Sequence, residues 1–159
     1  MSLLDDIPEG SLVALDTVIW IYQFEANPVF GPITNELFQD GFGTGRCRPA
    51  CSLLALGELL VQPLAMGRAD IADQYRRIIA PGPQLTVWES GREIIETAAA
   101  LRARYRVRLL DAIHVAGAIM HNAHSFLTND EGLRRIQEVP ILVLGDYLRN
   151  EEGRKAGTA

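Results

Sequence analysis

The chain has 159 residues, 48% apolar and 22% charged, with a formal net charge of −5. This composition supports one globular core and argues against gripping nucleic acid through a broad basic surface. No run of about 18 uncharged apolar residues could span a membrane, and the start MSLLDDIPEG is acidic where a secretory signal would be basic and then apolar. A single cytoplasmic domain over residues 1–148 is therefore expected, with no membrane association and with residues 149–159 as a polar, disordered tail.

Taken in chain order, SLVAL at 11–15 reads as a short strand ending at Asp16, and TVIWIYQFE as the helix after it. NPVFGP breaks that helix. A second helix is expected over Ile33–Gln39, then a GFGTGR turn and a strand near Arg48–Ser52. The glycine cluster does not fit a nucleotide loop, because it follows a helix and places Arg46 where the dinucleotide fingerprint needs glycine.

SLLALGELL opens a helix over Leu53–Met66 that carries Glu58 among leucines, with Pro63 as a kink. Arg68–Ile79 forms another helix before the breaker PGP, and QLTVW a strand. Ser90 reads as the N-cap of a long helix to Tyr105, with Glu93 completing a capping box. A helix over Asp111–His121 follows, then the strand and turn SFLTND, the short helix EGLRRI and the last strand PILVLG. Short strands, apolar on both faces and alternating with helices, predict an α/β fold with a parallel sheet between helix layers.

Cys47 and Cys51 are too few for a disulfide framework and lack a nearby histidine pair for zinc, so buried thiols are expected. Every basic residue except Lys155 is arginine, and Lys155 lies beyond the last apolar segment. Walker-type and Schiff-base chemistry are thereby disfavoured. Arginine suits bidentate phosphate contacts, although a GC-rich genome produces the same bias.

In an open parallel sheet the functional crevice lies at the carboxyl ends of the strands. Asp16 and Asp130 follow strands directly, Asp111 begins a helix, and Glu58 lies about two turns into one, so all four can face that rim. Singly, the three aspartates also read as N-caps, and Glu58 as the partner of a buried arginine. Together, four convergent carboxylates need a compensating cation. Oxygen donors select Mg²⁺ or Mn²⁺, and phosphodiester hydrolysis by metal-activated water is the chemistry expected.

The segments LDTVIWIY, SLLALGELL, RYRVRLLDAIHVAGAIM and FLTNDEGLRRI, in this order, resemble the PIN-domain nucleases, most closely the VapC-like toxin ribonucleases of type II toxin-antitoxin modules. The resemblance runs from about Leu12 to Leu144. It implies a three-layer α/β/α sandwich on a five-stranded, mainly parallel sheet. It further implies Asp16, Glu58, Asp111 and Asp130 as catalytic ligands of Mg²⁺ or Mn²⁺ for endonucleolytic RNA cleavage. By the same carry-over Thr17, Thr128 and Asn129 stand beside the metal acids, with turn and cap chemistry as their alternative. A small antitoxin and a homodimer are the implied protein partners, with the apolar faces of TVIWIYQF and of the helix after Asn27 as contact surfaces.

Arg102, Arg104, Arg106 and Arg108 precede Asp111, and Arg134 and Arg135 follow Asp130. They are candidate contacts for RNA phosphates, Arg106, Arg108, Arg134 and Arg135 foremost, with pairing to neighbouring acids as the alternative. His114, one turn beyond Asp111, reads as a helix-surface or packing residue, or as a phosphate contact or proton carrier. Trp20, Tyr22 and Phe24 read as packing. Two other functions stay open: a PIN nuclease of RNA processing or decay without an antitoxin, and a non-cleaving scaffold that binds RNA or protein.

Overall fold

Apolar, doubly buried segments make the sheet. In the computed structural model, which describes residues 1–148, β1 is Leu12–Leu15, β2 Arg48–Ser52, β3 Thr86–Trp88, β4 Ser125–Thr128 and β5 Ile141–Val143. The expected tail at 149–159 lies outside the described residues. The strand order is β3-β2-β1-β4-β5, and every pairing is parallel. Side chains alternate across the sheet as the pleat requires. Val13, Leu15 and Leu127 join the core on one face, whereas Ala14, Ala50 and Phe126 join the core on the other.

The first face is covered by α1 (Thr17–Phe24), α2 (Gly31–Glu36), α3 (Leu54–Ala65) and α4 (Ala69–Ile78). Ile19, Trp20, Ile33, Leu59 and Tyr75 carry the packing there. The second face is covered by α5 (Arg92–Tyr105) and α6 (Leu109–Met120), through Ile94, Ala98, Leu101, Val115 and Ala116. The three-layer α/β/α sandwich is thus present, and its sheet is wholly parallel. Among the described residues no helix is long and apolar enough to cross a membrane. Cys47 and Cys51 are buried free thiols, and burial pushes the Cys51 thiol up to about 12.

Several local expectations are corrected. The helix expected at Ile33–Gln39 begins earlier, at Gly31, because the side-chain Oδ1 of Asn27 accepts from the backbone N–H of Val29 and Phe30 at 2.9 Å and turns the chain there. It then widens into a π-helical turn over Leu37–Phe42, which seats Gly41 against Leu4 and Cys47. Gly91, not Ser90, is the N-cap of α5, since the Ser90 hydroxyl faces the Ser52 hydroxyl at 3.5 Å. Asp111 does not begin its helix. It is the third residue of α6, and Arg108 is the N-cap.

One glycine sets the height of α6 on the sheet. A Cβ at Gly117 would overlap the indole of Trp88, the last residue of β3, so only glycine permits this approach. His121, the C-cap of α6, stacks on the Trp88 ring at 4.7 Å. The same helix carries Asp111 and His114, so this contact fixes where both sit.

Candidate active site

The chain leaves β1 toward β2 on one side of the sheet, and β4 lies on the other side of β1. The β1/β4 boundary is therefore the switch point at which parallel sheets open a crevice. A cleft of about 470 Å³ lies there, lined by Asp16, Glu58, Asp111 and Asp130, together with Thr17, Asn129, Tyr22, Val18 and Arg108. All four predicted acids thus line one cavity. Asp16 follows β1, Asp130 follows β4 after one residue, and α3 and α6 supply Glu58 and Asp111.

Uncharged donors position the two acids on one side. The Thr128 hydroxyl, at the end of β4, donates to Asp16 Oδ2 at 2.7 Å, and the Thr17 N–H donates to Asp16 Oδ1 at 2.8 Å. The Thr17 hydroxyl donates to Glu58 Oε1 at 2.7 Å, and His114 Nε2 meets the same oxygen at 2.6 Å. With Glu58 ionised, Nε2 carries the proton and donates. The two donors converge on Oε1, which leaves Oε2 as the oxygen not engaged by them. His114 is only 1% exposed, and its Nδ1 has no partner among the described residues.

This arrangement corrects the apolar setting expected for Glu58. Its side chain is 35% exposed in the cleft wall, and its partner is a histidine in place of the buried arginine considered from the sequence. His114 in turn is neither a surface group nor ordinary packing.

The electrostatics follow from these contacts. Burial pushes the Asp16 carboxyl above its ordinary value, and the nearby Asp111 charge adds to the rise, against the lowering effect of Thr128, His114 and Thr17. Partial burial alone would raise Glu58 as well. Hydrogen bonds from His114 and Thr17, with the attraction of His114 and Arg108, outweigh it and hold Glu58 below its ordinary range.

The other two acids are held differently. Asp111 Oδ2 accepts from Arg108 Nε at 2.7 Å, one turn away across the N-terminus of α6. Asp130 Oδ1 accepts from the Gly132 N–H at 2.8 Å, and the Asp130 N–H donates to Thr128 Oγ1 at 3.1 Å. Asn129 lines the cleft, but its amide donates to the Tyr22 hydroxyl at 3.1 Å and its carbonyl oxygen accepts from the Gly145 N–H. Tyr22, read from sequence as packing, stacks on Phe30 at 4.7 Å with its hydroxyl toward the cleft.

The arginines separate into two groups. Arg106, Arg108 and Arg135 gather beside Asp111 and Asp130. Arg134, expected among them, donates instead to Asp146 at 2.7 Å. Arg102 donates to the Val107 carbonyl and Arg104 to Glu138.

Among the described residues no three His, Cys, Asp or Glu side chains stand close enough to form a metal site as they are. The acids line a cleft wall and hold Thr17, Thr128, His114 and Arg108. The donor set nevertheless suits a hard cation, because it is all oxygen and because burial and like charge already disfavour ionised Asp16. A second groove of about 230 Å³ lies between α1, α3 and α4, lined by Ile21, Glu25, Leu59, Met66, Ile71 and Tyr75. Val61, Leu64 and Met66 of the α3 end are exposed.

Comparison with known proteins accords with this architecture. A toxin-antitoxin complex from Klebsiella pneumoniae aligns with a TM-score of 0.64 and 20% identity, over 83% of this chain and 97% of that one. VapBC2 from Rickettsia felis, bound to a DNA fragment from its promoter, aligns at 0.63 and 18%, over 83% and 98%. DNA-bound VapBC from Salmonella typhimurium aligns at 0.63 and 18%, over 84% and 98%. Comparison with curated proteins finds no match. Residues 13–139 match the PIN domain, and since that span covers most of the chain, the protein belongs to the PIN-domain family.

Proposed function

We propose that the protein is a cytoplasmic, Mg²⁺- or Mn²⁺-dependent endoribonuclease and the toxin of a toxin-antitoxin pair. The observation that carries this reading is the meeting of Asp16, Glu58, Asp111 and Asp130 in one cleft at the sheet's switch point, in a chain of the PIN-domain family. Family membership supports a nuclease, and likeness to toxin-antitoxin complexes supports an antitoxin partner.

In this reading the four carboxylates hold the cation. When bound, such an ion activates water and offsets charge on the scissile phosphate. The chain's own residues do the positioning. Thr17 and His114 fix one oxygen of Glu58, and Thr128 with the Thr17 N–H fixes both oxygens of Asp16. Side chains held in this way give a site its geometry before a ligand arrives. The groove between α1, α3 and α4 is the candidate seat for an amphipathic antitoxin helix, and self-association as a homodimer belongs to the same reading.

The test is cleavage of structured RNAs by the purified protein with Mg²⁺ or Mn²⁺. EDTA or Asp16→Asn is expected to abolish cutting. Activity that survives Asp16→Asn contradicts the role given to Asp16.

A further inference from the structure

A smaller cavity of about 140 Å³ adjoins the acid cleft on its Asp111 and Asp130 side, lined by Arg106, Arg108, Arg135 and Gly132. We propose that it is a phosphate subsite, which holds the backbone phosphate next to the one being cut in a single strand of RNA. The proposal rests on the nuclease reading for the identity of the strand, and on the following observations for the site.

The first is availability. Arg108 spends Nε on Asp111, and Arg135 spends Nε on the Gly132 carbonyl at 3.0 Å. A guanidinium has five N–H donors, so each keeps its terminal nitrogens for an anion. Arg106 has no ion-pair partner within 4.0 Å among the described residues. Several exposed arginines elsewhere are paired with local acids, as in Arg68–Asp70, Arg76–Asp73 and Arg92–Glu96. On a chain of net charge −5, three arginines against the two aspartates of this cavity leave a local excess of positive charge.

The second is continuity. Arg108, Asp111 and Asp130 line both the cavity and the cleft, so a strand lying across the acids meets the arginines without leaving the surface. Three arginines suit one or two phosphates of a single strand and are too few for the footprint of a duplex.

The third is the backbone of Arg106. It caps the end of α5 in the left-handed region, with φ 57° and ψ 33°, where glycine is the unstrained choice. Ala26 and Asn122 share this region at φ 47° and 54°, but of the three only Arg106 adds a charged side chain, and that side chain lines the cavity.

The test is binding of a short labelled RNA strand by fluorescence anisotropy, with Mg²⁺, in the full chain carrying Asp16→Asn to keep the strand intact. Arg106→Gly and Arg135→Ala are each expected to weaken binding about three- to tenfold and to flatten the slope of log affinity against log salt by about 0.7. Arg106→Gly relieves the backbone and should melt at or above its parent, so its weaker binding is not lost folding. Arg92→Ala, remote and paired with Glu96, should bind as the parent does. Parental affinity and slope in both variants would overturn the subsite, as would a parent that does not bind RNA. Continued cutting in the Asp16→Asn background would contradict the role given to Asp16 and would not bear on the subsite, which the affinities and salt slopes of the arginine variants decide.

Discussion

The two halves of the cleft are built on different principles. On one side Asp16 and Glu58 are tied by uncharged or imidazole donors from α1, β4 and α6; burial raises the Asp16 carboxyl, and hydrogen bonds lower that of Glu58. On the other, Asp130 is exposed and Asp111, its side chain 13% exposed, has only the flexible Arg108 as its side-chain donor, itself 81% exposed. The first half is organised before any ligand arrives. The second compensates charge with side chains that are free to turn toward a substrate.

The largest expected effect lies in the organised half. Asp16→Asn should reduce RNA cutting by about 10³-fold or more, since it removes charge where the acids are least solvated. An effect no larger than that of an arginine substitution on the open side would erase the distinction. Next comes His114→Ala, expected to weaken Mn²⁺ binding by about 10- to 100-fold, the usual range for a partner that orients a ligand. His114→Gln, whose amide can donate where Nε2 does, should recover part of it. Equal affinities in both variants would reduce His114 to a packing residue.

The sign of the pH dependence sharpens the contrast further. The folded carboxyl of Asp16 is raised above its ordinary 3.8, so it contributes stability that is present below about pH 3.8 and lost as pH rises through the folded pKa. Without metal at neutral pH the ionised group is a liability. Melting in EDTA at pH 7 should therefore find Asp16→Asn at least as stable as its parent, and a gain of about 1 kcal/mol would raise Tm by roughly 2–4 °C. Mn²⁺ should raise the Tm of the parent alone. A variant less stable in EDTA would show that the Thr128 and Thr17 hydrogen bonds outweigh the burial of charge. The smallest effect belongs to the open half: Arg108→Ala removes a cation that competes for Asp111 and should tighten Mn²⁺ binding about two- to fivefold. Weaker binding would make Arg108 part of the organised site.

Much of this arrangement was legible in the sequence because it follows from chain direction. In a parallel sheet, residues that follow strands emerge on one rim, so Asp16 and Asp130 could be placed from SLVAL and SFLT alone. The strand at Arg48–Ser52 fell where expected for another reason: a short segment between a glycine-rich turn and the start of a helix. What periodicity could not supply was contact across elements. Glu58 and His114 are 56 positions apart, on helices of opposite layers, and meet only past the edge of the sheet. Leucines around Glu58 suggested burial, yet they flank a side chain that points along the cleft wall. Tyr22 looked like one aromatic among three, and only its partner Asn129 reveals the hydroxyl at the rim. The partition of the arginines was likewise invisible, since Arg134 and Arg135 are adjacent in sequence and face different acids.

The central claim is that the four carboxylates act together on one hard cation. Calorimetric titration of Mn²⁺ into the full chain, and into Asp16→Asn, Glu58→Gln, Asp111→Asn and Asp130→Asn, tests it most directly. Saturable binding that weakens in each variant, with folding intact by circular dichroism, is the predicted result. Undiminished binding in all four, or none in the parent, would contradict it.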